Sequence, residues 1–248
     1  MPTNELVTPL PVPALDASRR WLLAQSALLG LGALLLYWSF ERTDLDRRLA
    51  SALFDAELGL FPLRHSWFLE AVMHKAAKQA TYVLVAASLY VCWQGWRGRL
   101  AWLPARNALL AAIGMLAIPL ATSTAKLLTA RYCPWDIIDF GGYAPYLGLF
   151  EAAPSGLKAG QCFPAGHAST GFLWIVWAVA LRPAGLRAAR GALLAGLLAG
   201  AILGTARMLQ GAHFLSHTLW TLWLAWAASL ILAVAVRAEL GFGDRRRV

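Results

Sequence analysis

Six stretches of this chain run without a single Asp, Glu, Lys or Arg: Trp21–Phe40, Gln79–Trp96, Asn107–Ala125, Ala168–Leu181, Gly191–Ala206 and His213–Val236. A hydrocarbon core about 30 Å thick is crossed by roughly 20 apolar residues of helix. In lipid, every backbone polar group must be satisfied within the spanning structure. Runs of this kind therefore predict an all-α polytopic membrane protein with six transmembrane helices. The fourth and fifth runs are short and must extend through small or polar neighbours. A transmembrane barrel is excluded, because Leu28–Leu36 and Leu222–Val236 are apolar on every face, whereas barrel strands alternate. Only 14% of the residues are charged, 59% are apolar and the mean hydropathy is +0.55. A soluble domain carries about 25% charged residues, so no separate soluble domain is expected.

The basic residues set the orientation. Arg19-Arg20, the Arg97/Arg99/Arg106 loop, the Arg182/Arg187/Arg190 loop and the tail from Arg237 to Arg247 fall on one side of a six-helix arrangement. By the positive-inside rule that side is the cytoplasm. The net charge of +9 is then topological. No basic-aromatic surface domain exists to bind nucleic acid, so no nucleic-acid partner is expected. Residues 1–18 are Pro-rich and read as a disordered cytoplasmic N-terminus. The run after Arg20 is longer than a signal h-region and lacks a small-x-small cleavage site, which makes it a retained first helix. Residues 19–237 form a single membrane domain, and residues 238–248 a basic cytoplasmic tail. Two long segments, Glu41–Lys78 and Lys126–His167, lie outside the cytoplasm. The first reads either as one or two amphipathic helices on the membrane surface, broken near Gly59–Pro62, or as a solvated connector.

Ionisable residues next to spanning helices are costly and need a reason. Three clusters stand out, in residues 126–136, 163–169 and 206–217. The first is Lys126-Leu-Leu-Thr-Ala-Arg131-Tyr-Cys133-Pro-Trp-Asp136, and the second is Phe163-Pro-Ala165-Gly166-His167-Ala-Ser169. The third is Ala206-Arg207-Met-Leu-Gln-Gly-Ala-His213-Phe-Leu-Ser-His217. Taken singly, each has an ordinary reading: a snorkelling cation, a helix-start residue, interfacial histidines. Together they open onto one membrane face, and their types suit phosphoryl transfer. Lys126, Arg131 and Arg207 can surround phosphate oxygens, with Arg offering bidentate donors. The Ala165 and Gly166 amides before a helix can point at the same oxygens. One His can serve as nucleophile and another as general acid.

These residues resemble the type 2 phosphatidic acid phosphatase superfamily, whose membrane members have six helices and the motifs K-x6-R-P, P-S-G-H and S-R-x5-H-x3-D. The second motif here reads Pro164-Ala165-Gly166-His167. The third reads Ala206-Arg207, five residues, His213, three residues, His217. The resemblance implies a membrane phosphatase that uses no metal and no cofactor. His213 would attack phosphorus and form a phosphohistidine, and His167 would protonate the leaving group. Lys126, Arg207 and the Gly166 amide would hold the phosphate. It implies a lipid phosphate or pyrophosphate as substrate: undecaprenyl pyrophosphate, phosphatidylglycerol phosphate, phosphatidic acid or lipid A. It places the chain in the inner membrane of a bacterium, with the site facing the periplasm.

Four positions depart from the motifs. Cys133 stands at the first motif's Arg, with Arg131 two residues earlier as the substitute phosphate ligand. Ala165 and Ala206 replace two serines. His217 replaces the Asp that orients the nucleophile, and lies four residues from His213 on the same helix face. A neutral His217 can fix the tautomer of His213 but cannot stabilise its developing charge. Asp136 or Asp139 is the candidate source of that charge. Cys133 and Cys162 flank the first two motifs and are candidates for a disulfide in an oxidising compartment, while Cys92 should be free. Ala192, Gly196, Gly200 and Gly204 form a small-residue stripe for close helix packing. Trp220, Trp223 and Trp226 read as packing or lipid-facing residues. Three alternatives stay open: a phosphotransferase with the same intermediate, a non-catalytic lipid-binding relative, and a metal-dependent hydrolase. The last would use His213, His217 and a third ligand from His167, Asp136 or Asp139.

Overall fold

The computed structural model describes residues 16–241, and these residues are helical with no strand, only isolated bridges at Asp55–Leu60 and Ile137–Ala144. Eight α-helices follow in order among them: α1 Ala17–Glu41, α2 Leu45–Ser51, α3 Ala77–Trp96, α4 Ala105–Lys126, α5 Gly166–Phe172, α6 Val176–Ala180, α7 Leu186–Leu209 and α8 Leu215–Ala235. Four of them, α1, α4, α7 and α8, are long and apolar enough to cross a membrane. Helix α3 carries Lys78 in its first turn and continues a π-helical stretch, Phe68–Ala76. The fourth predicted run becomes α5, a 3-10 turn at Leu173–Ile175, and α6. From Gly166 to Ala180 this unit is roughly 22 Å long at 1.5 Å per residue, short of a ~30 Å core. It is almost wholly buried among α4, α7 and α8.

Small residues let α7 approach that central unit. A β-carbon on Gly171 would lie 2.4 Å from the Gly200 nitrogen. On Gly200 it would meet the Phe172 ring at 2.0 Å, on Gly196 Ile175 at 2.6 Å, and on Gly204 Thr218 of α8 at 2.4 Å. The glycines of the stripe thus face neighbouring helices, as expected. Helix α1 is held to α8 by two indoles: Trp223 donates to the Leu29 carbonyl at 2.9 Å and Trp226 to Gln25 at 3.1 Å. These are the packing roles expected of the tryptophans.

Two boundaries differ from expectation. Helix α1 starts at Ala17 because Asp16 caps it, accepting from the Arg19 amide at 2.8 Å, so the N-terminal segment is ordered before Ser18. Past Arg237 the chain docks: Asn107 of α4 exchanges two hydrogen bonds with the Glu239 backbone, and Leu240 is buried. The remainder of the expected disordered N-terminus and basic tail, residues 1–15 and 242–248, lies outside the described residues.

The Glu41–Lys78 segment holds two short helical pieces, α2 and the π-helical stretch, on either side of an irregular stretch that contains Gly59–Pro62 and exposes Leu58, Leu60, Leu63 and Trp67. Within that stretch a few aromatic side chains turn inward. Phe61 is fully buried and stacks edge-on with Phe54 and Phe140. With Tyr132, Ile137, Leu147 and Phe214 they form a second apolar core, which caps the ends of α4, α5 and α8.

Candidate active site

The three motif clusters converge beneath this cap. After α7, Gly211 turns the chain with φ of +72°, and a β-carbon there would strike the Phe61 ring at 2.3 Å. The turn delivers His213 just ahead of α8 and His217 on its first turn. Both imidazoles are buried. Their Nδ1 atoms lie 3.3 Å apart, so one ring donates to the other. A His213 that presents a free Nε2 to an incoming group carries its proton on Nδ1 and donates to His217. His217 then carries its own proton on Nε2, an atom buried with no hydrogen-bond partner.

Around this pair stand the expected cations. Lys126, at the end of α4, donates to the Gln161 carbonyl at 3.0 Å. Its Cε lies 3.1 Å from where a β-carbon on Gly166 would sit, so glycine keeps the first residue of α5 open to the lysine. Arg207 donates to Gln210 at 2.7 Å and lies 3.9 Å from the Glu70 carboxylate. His213 is held well below the ordinary imidazole value by burial, then by the charges of Lys126 and Arg207, with His167 adding to them. That favours the neutral ring, with a lone pair free on one nitrogen.

His167, in the first turn of α5, donates from Nε2 to the Met73 carbonyl at 2.8 Å, and its ring meets His74 edge-on at 4.8 Å. Met73 and His74 belong to the π-helical stretch, a geometry enriched at functional sites. Glu70, Met73 and His74 are site residues that sequence reasoning missed. Its only signal was a run of Glu, His and Lys immediately before an apolar span.

Arg131 is placed differently from expectation. It is buried and donates to Glu41 at 3.0 Å and to the Tyr146 hydroxyl at 2.7 Å, with Asp46 at 3.6 Å. Its guanidinium is engaged by carboxylates and does not stand with Lys126 and Arg207. Asp46 in turn accepts from the Ser216 amide at 3.0 Å and from the Ser216 hydroxyl. Burial raises the Asp46 carboxyl above its ordinary value, opposed by Ser216 and Arg131. This carboxylate caps the N-terminus of α8, the helix that carries His217. The signal for Glu41 and Asp46 was their position, acidic residues directly after a 20-residue apolar run.

Three further expectations are corrected. The Ala165 amide donates to the His217 carbonyl at 3.2 Å, which leaves Gly166 as the available amide of that pair. Asp139 pairs with Arg47 at the surface, and Asp136 lies beside Trp135 and Arg64. Neither is a partner of His213. His213 and His217 meet Cys162, and not His167 or an Asp, as the third potential metal ligand. The expected Cys133–Cys162 disulfide is present, so that sulfur is not a thiolate, and Cys92 is free and buried. The disulfide occupies the place of the first motif's Arg and fastens it to the second motif.

A helical bundle of membrane-spanning character, with two histidines and two cations gathered at one end, has the groups that phosphoryl chemistry needs. Residues 107–240, more than half of the chain, match the sequence profile of the PAP2 superfamily, and the chain belongs to that family of phosphatases. No curated protein and no solved structure matches it. The matched region holds Lys126, His167, Arg207 and His213. Glu41, Asp46 and the π-helical stretch lie outside it.

Proposed function

We propose that the protein is a phosphatase for a lipid phosphate or pyrophosphate, working through a phosphohistidine at His213 on the extracytoplasmic face of a bacterial inner membrane. The observation that carries this reading is the paired Nδ1 contact of His213 and His217, which leaves Nε2 as the free nitrogen of a His213 ring that feels the charges of Lys126 and Arg207.

Lys126 and Arg207 hold the phosphate oxygens, with the Gly166 amide, and neutralise charge that builds in a loose transition state. Arg207 releases Glu70 as the phosphate arrives. His213 Nε2 attacks phosphorus in line. His167 delivers a proton to the leaving oxygen, and then takes one from the water that hydrolyses the phosphohistidine. His217 keeps the tautomer of His213. Arg131 acts at one remove, compensating Glu41 and the Asp46 cap under α8. No metal or cofactor enters these steps, and no nucleic acid is a partner.

A lipid substrate is supported by two apolar grooves. One, of about 450 Å³, lies between α1, α7 and α8 and is lined by Leu28, Leu36, Leu197, Leu222 and Trp223. The other, of about 310 Å³, borders Phe163, Pro164 and Trp220, and Trp223 lines both. A hydrocarbon chain lying along them would bring its phosphate beside the second motif. The six-span arrangement adds α3 and the short α5–α6 unit to the four long helices, with the arginine loops in the cytoplasm.

The test is phosphate release from a panel of detergent-dispersed lipid phosphates and pyrophosphates, with water-soluble phosphomonoesters beside them. The expected result is His213-dependent release, abolished in His213→Ala, with lipid substrates preferred. No release from any substrate that exceeds the His213→Ala background would favour a non-catalytic lipid-binding relative.

A further inference from the structure

The sulfur of Cys162 touches the nucleophile. Its Sγ lies 3.4 Å from His213 Nδ1, which is 3.3 Å from His217 Nδ1. The three donor atoms all lie within 4.8 Å of one another. Tetrahedral zinc binds thiolate at about 2.3 Å and imidazole at about 2.0–2.1 Å, so its coordination edges are about 3.3–3.6 Å. The two contacts match such edges. In the oxidised protein the sulfur is bonded to Cys133 and cannot bind as a thiolate.

We propose that reduction of the Cys133–Cys162 disulfide creates a binding site for a thiophilic divalent cation of the Zn²⁺ class, held by Cys162 Sγ, His213 Nδ1 and His217 Nδ1. Cys162 is buried, whereas Cys133 is partly exposed and is the sulfur a reductant can reach. One thiolate of a dithiol attacks Cys133, and Cys162 leaves as a thiolate. The second thiol of the reductant then displaces Cys133. The S–S bond of the protein is reduced by two electrons to two sulfhydryl groups, and the dithiol is oxidised to a disulfide. The Cys162 thiolate remains beside the two imidazoles.

Ligation has a consequence that rests on the proposed phosphatase mechanism. A metal on Nδ1 of His213 moves that ring's proton to Nε2, the nitrogen that attacks phosphorus. The cation therefore inhibits the reduced enzyme and spares the oxidised one. His217 already carries its proton on the unpartnered Nε2 in the tautomer that ligation requires.

The test uses Co²⁺ as the probe, on the purified full chain in detergent. Cys133→Ser frees Cys162 without a reductant, and phosphine-reduced, desalted wild type provides the same thiol by an independent route should the variant not fold. Each is expected to take up one Co²⁺ per chain, with tetrahedral visible bands and a thiolate-to-cobalt charge-transfer band. Oxidised wild type and Cys133→Ser/Cys162→Ser, which retains Cys92, should show neither. Adding His217→Leu to Cys133→Ser should weaken uptake at least tenfold. No charge-transfer band in either thiol form would overturn the proposal, as would a band unchanged by His217→Leu. These readings need no catalysis, so they stand apart from failure of the phosphatase reading. In an active preparation, Zn²⁺ should inhibit only the reduced protein.

Discussion

At position 217 an imidazole takes the place of the carboxylate that the family motif uses to orient its nucleophile. A neutral acceptor fixes the His213 tautomer but gives little help to the positive charge that grows on that ring. His217→Ala should lower kcat by roughly 10²-fold with little change in KM, the pattern of a positioning group. His217→Asp should raise kcat above wild type, because a carboxylate there can accept from His213 Nδ1 and offset the charge that grows on that ring. Steady-state kinetics on both variants checks this pair of outcomes. The pH profile follows from the lowered His213 value. The nucleophile must be neutral, and a lowered value keeps it neutral as pH falls through the ordinary imidazole range. The acid limb of kcat/KM that reports His213 should therefore lie below that range. Lys126→Met removes one of the repelling charges, so in that variant the limb should move upward in pH while kcat/KM falls.

Helices α2, α5, α7 and α8 hold these side chains by contacts that differ in how visible they are in sequence. The α7 stripe was legible because glycines at intervals of four have one common use in an apolar helix. Gly171, its counterpart on α5, was not, since a single glycine carries no period. Gly171→Ala would push a methyl into the backbone of α7 and should destabilise the fold by about 1–3 kcal/mol. Gly191→Ala, where an added methyl meets nothing, should be neutral or stabilising by up to about 1 kcal/mol. Thermal unfolding in detergent distinguishes them. Asp46 was illegible for a different reason: its partner, Ser216, is 170 residues away, and nothing local marks a cap donated from another helix. Asp46→Ala removes that cap and leaves Arg131 undercompensated, and should cost about 3–5 kcal/mol. Opening the disulfide, which spans 29 residues, should cost about 3–4 kcal/mol in the chain-entropy view.

Across the whole molecule, the apolar runs announced an all-helical membrane fold, and the motif spacing announced the residues that gather at one end. Hidden from the sequence was the inward packing of Phe54 and Phe61 within Glu41–Lys78. Its alternation of charge and apolar residues suits a membrane surface as well as it suits a cap, and only contact with Phe140 and Phe214 distinguishes the two. Arg131 was assigned to phosphate for a similar reason. Proximity in sequence to Lys126 says nothing of the buried Glu41 and Asp46 that claim it. The proposed chemistry turns on a bond between His213 Nε2 and phosphorus. It is tested most directly by rapid quenching of the protein with a ³²P-labelled lipid phosphate, followed by mapping of the label. The prediction is an acid-labile, base-stable phosphohistidine at His213, substituted on Nε2, and absent in His213→Ala. Label at another residue or on Nδ1, or turnover with no trappable phosphoenzyme, would contradict it.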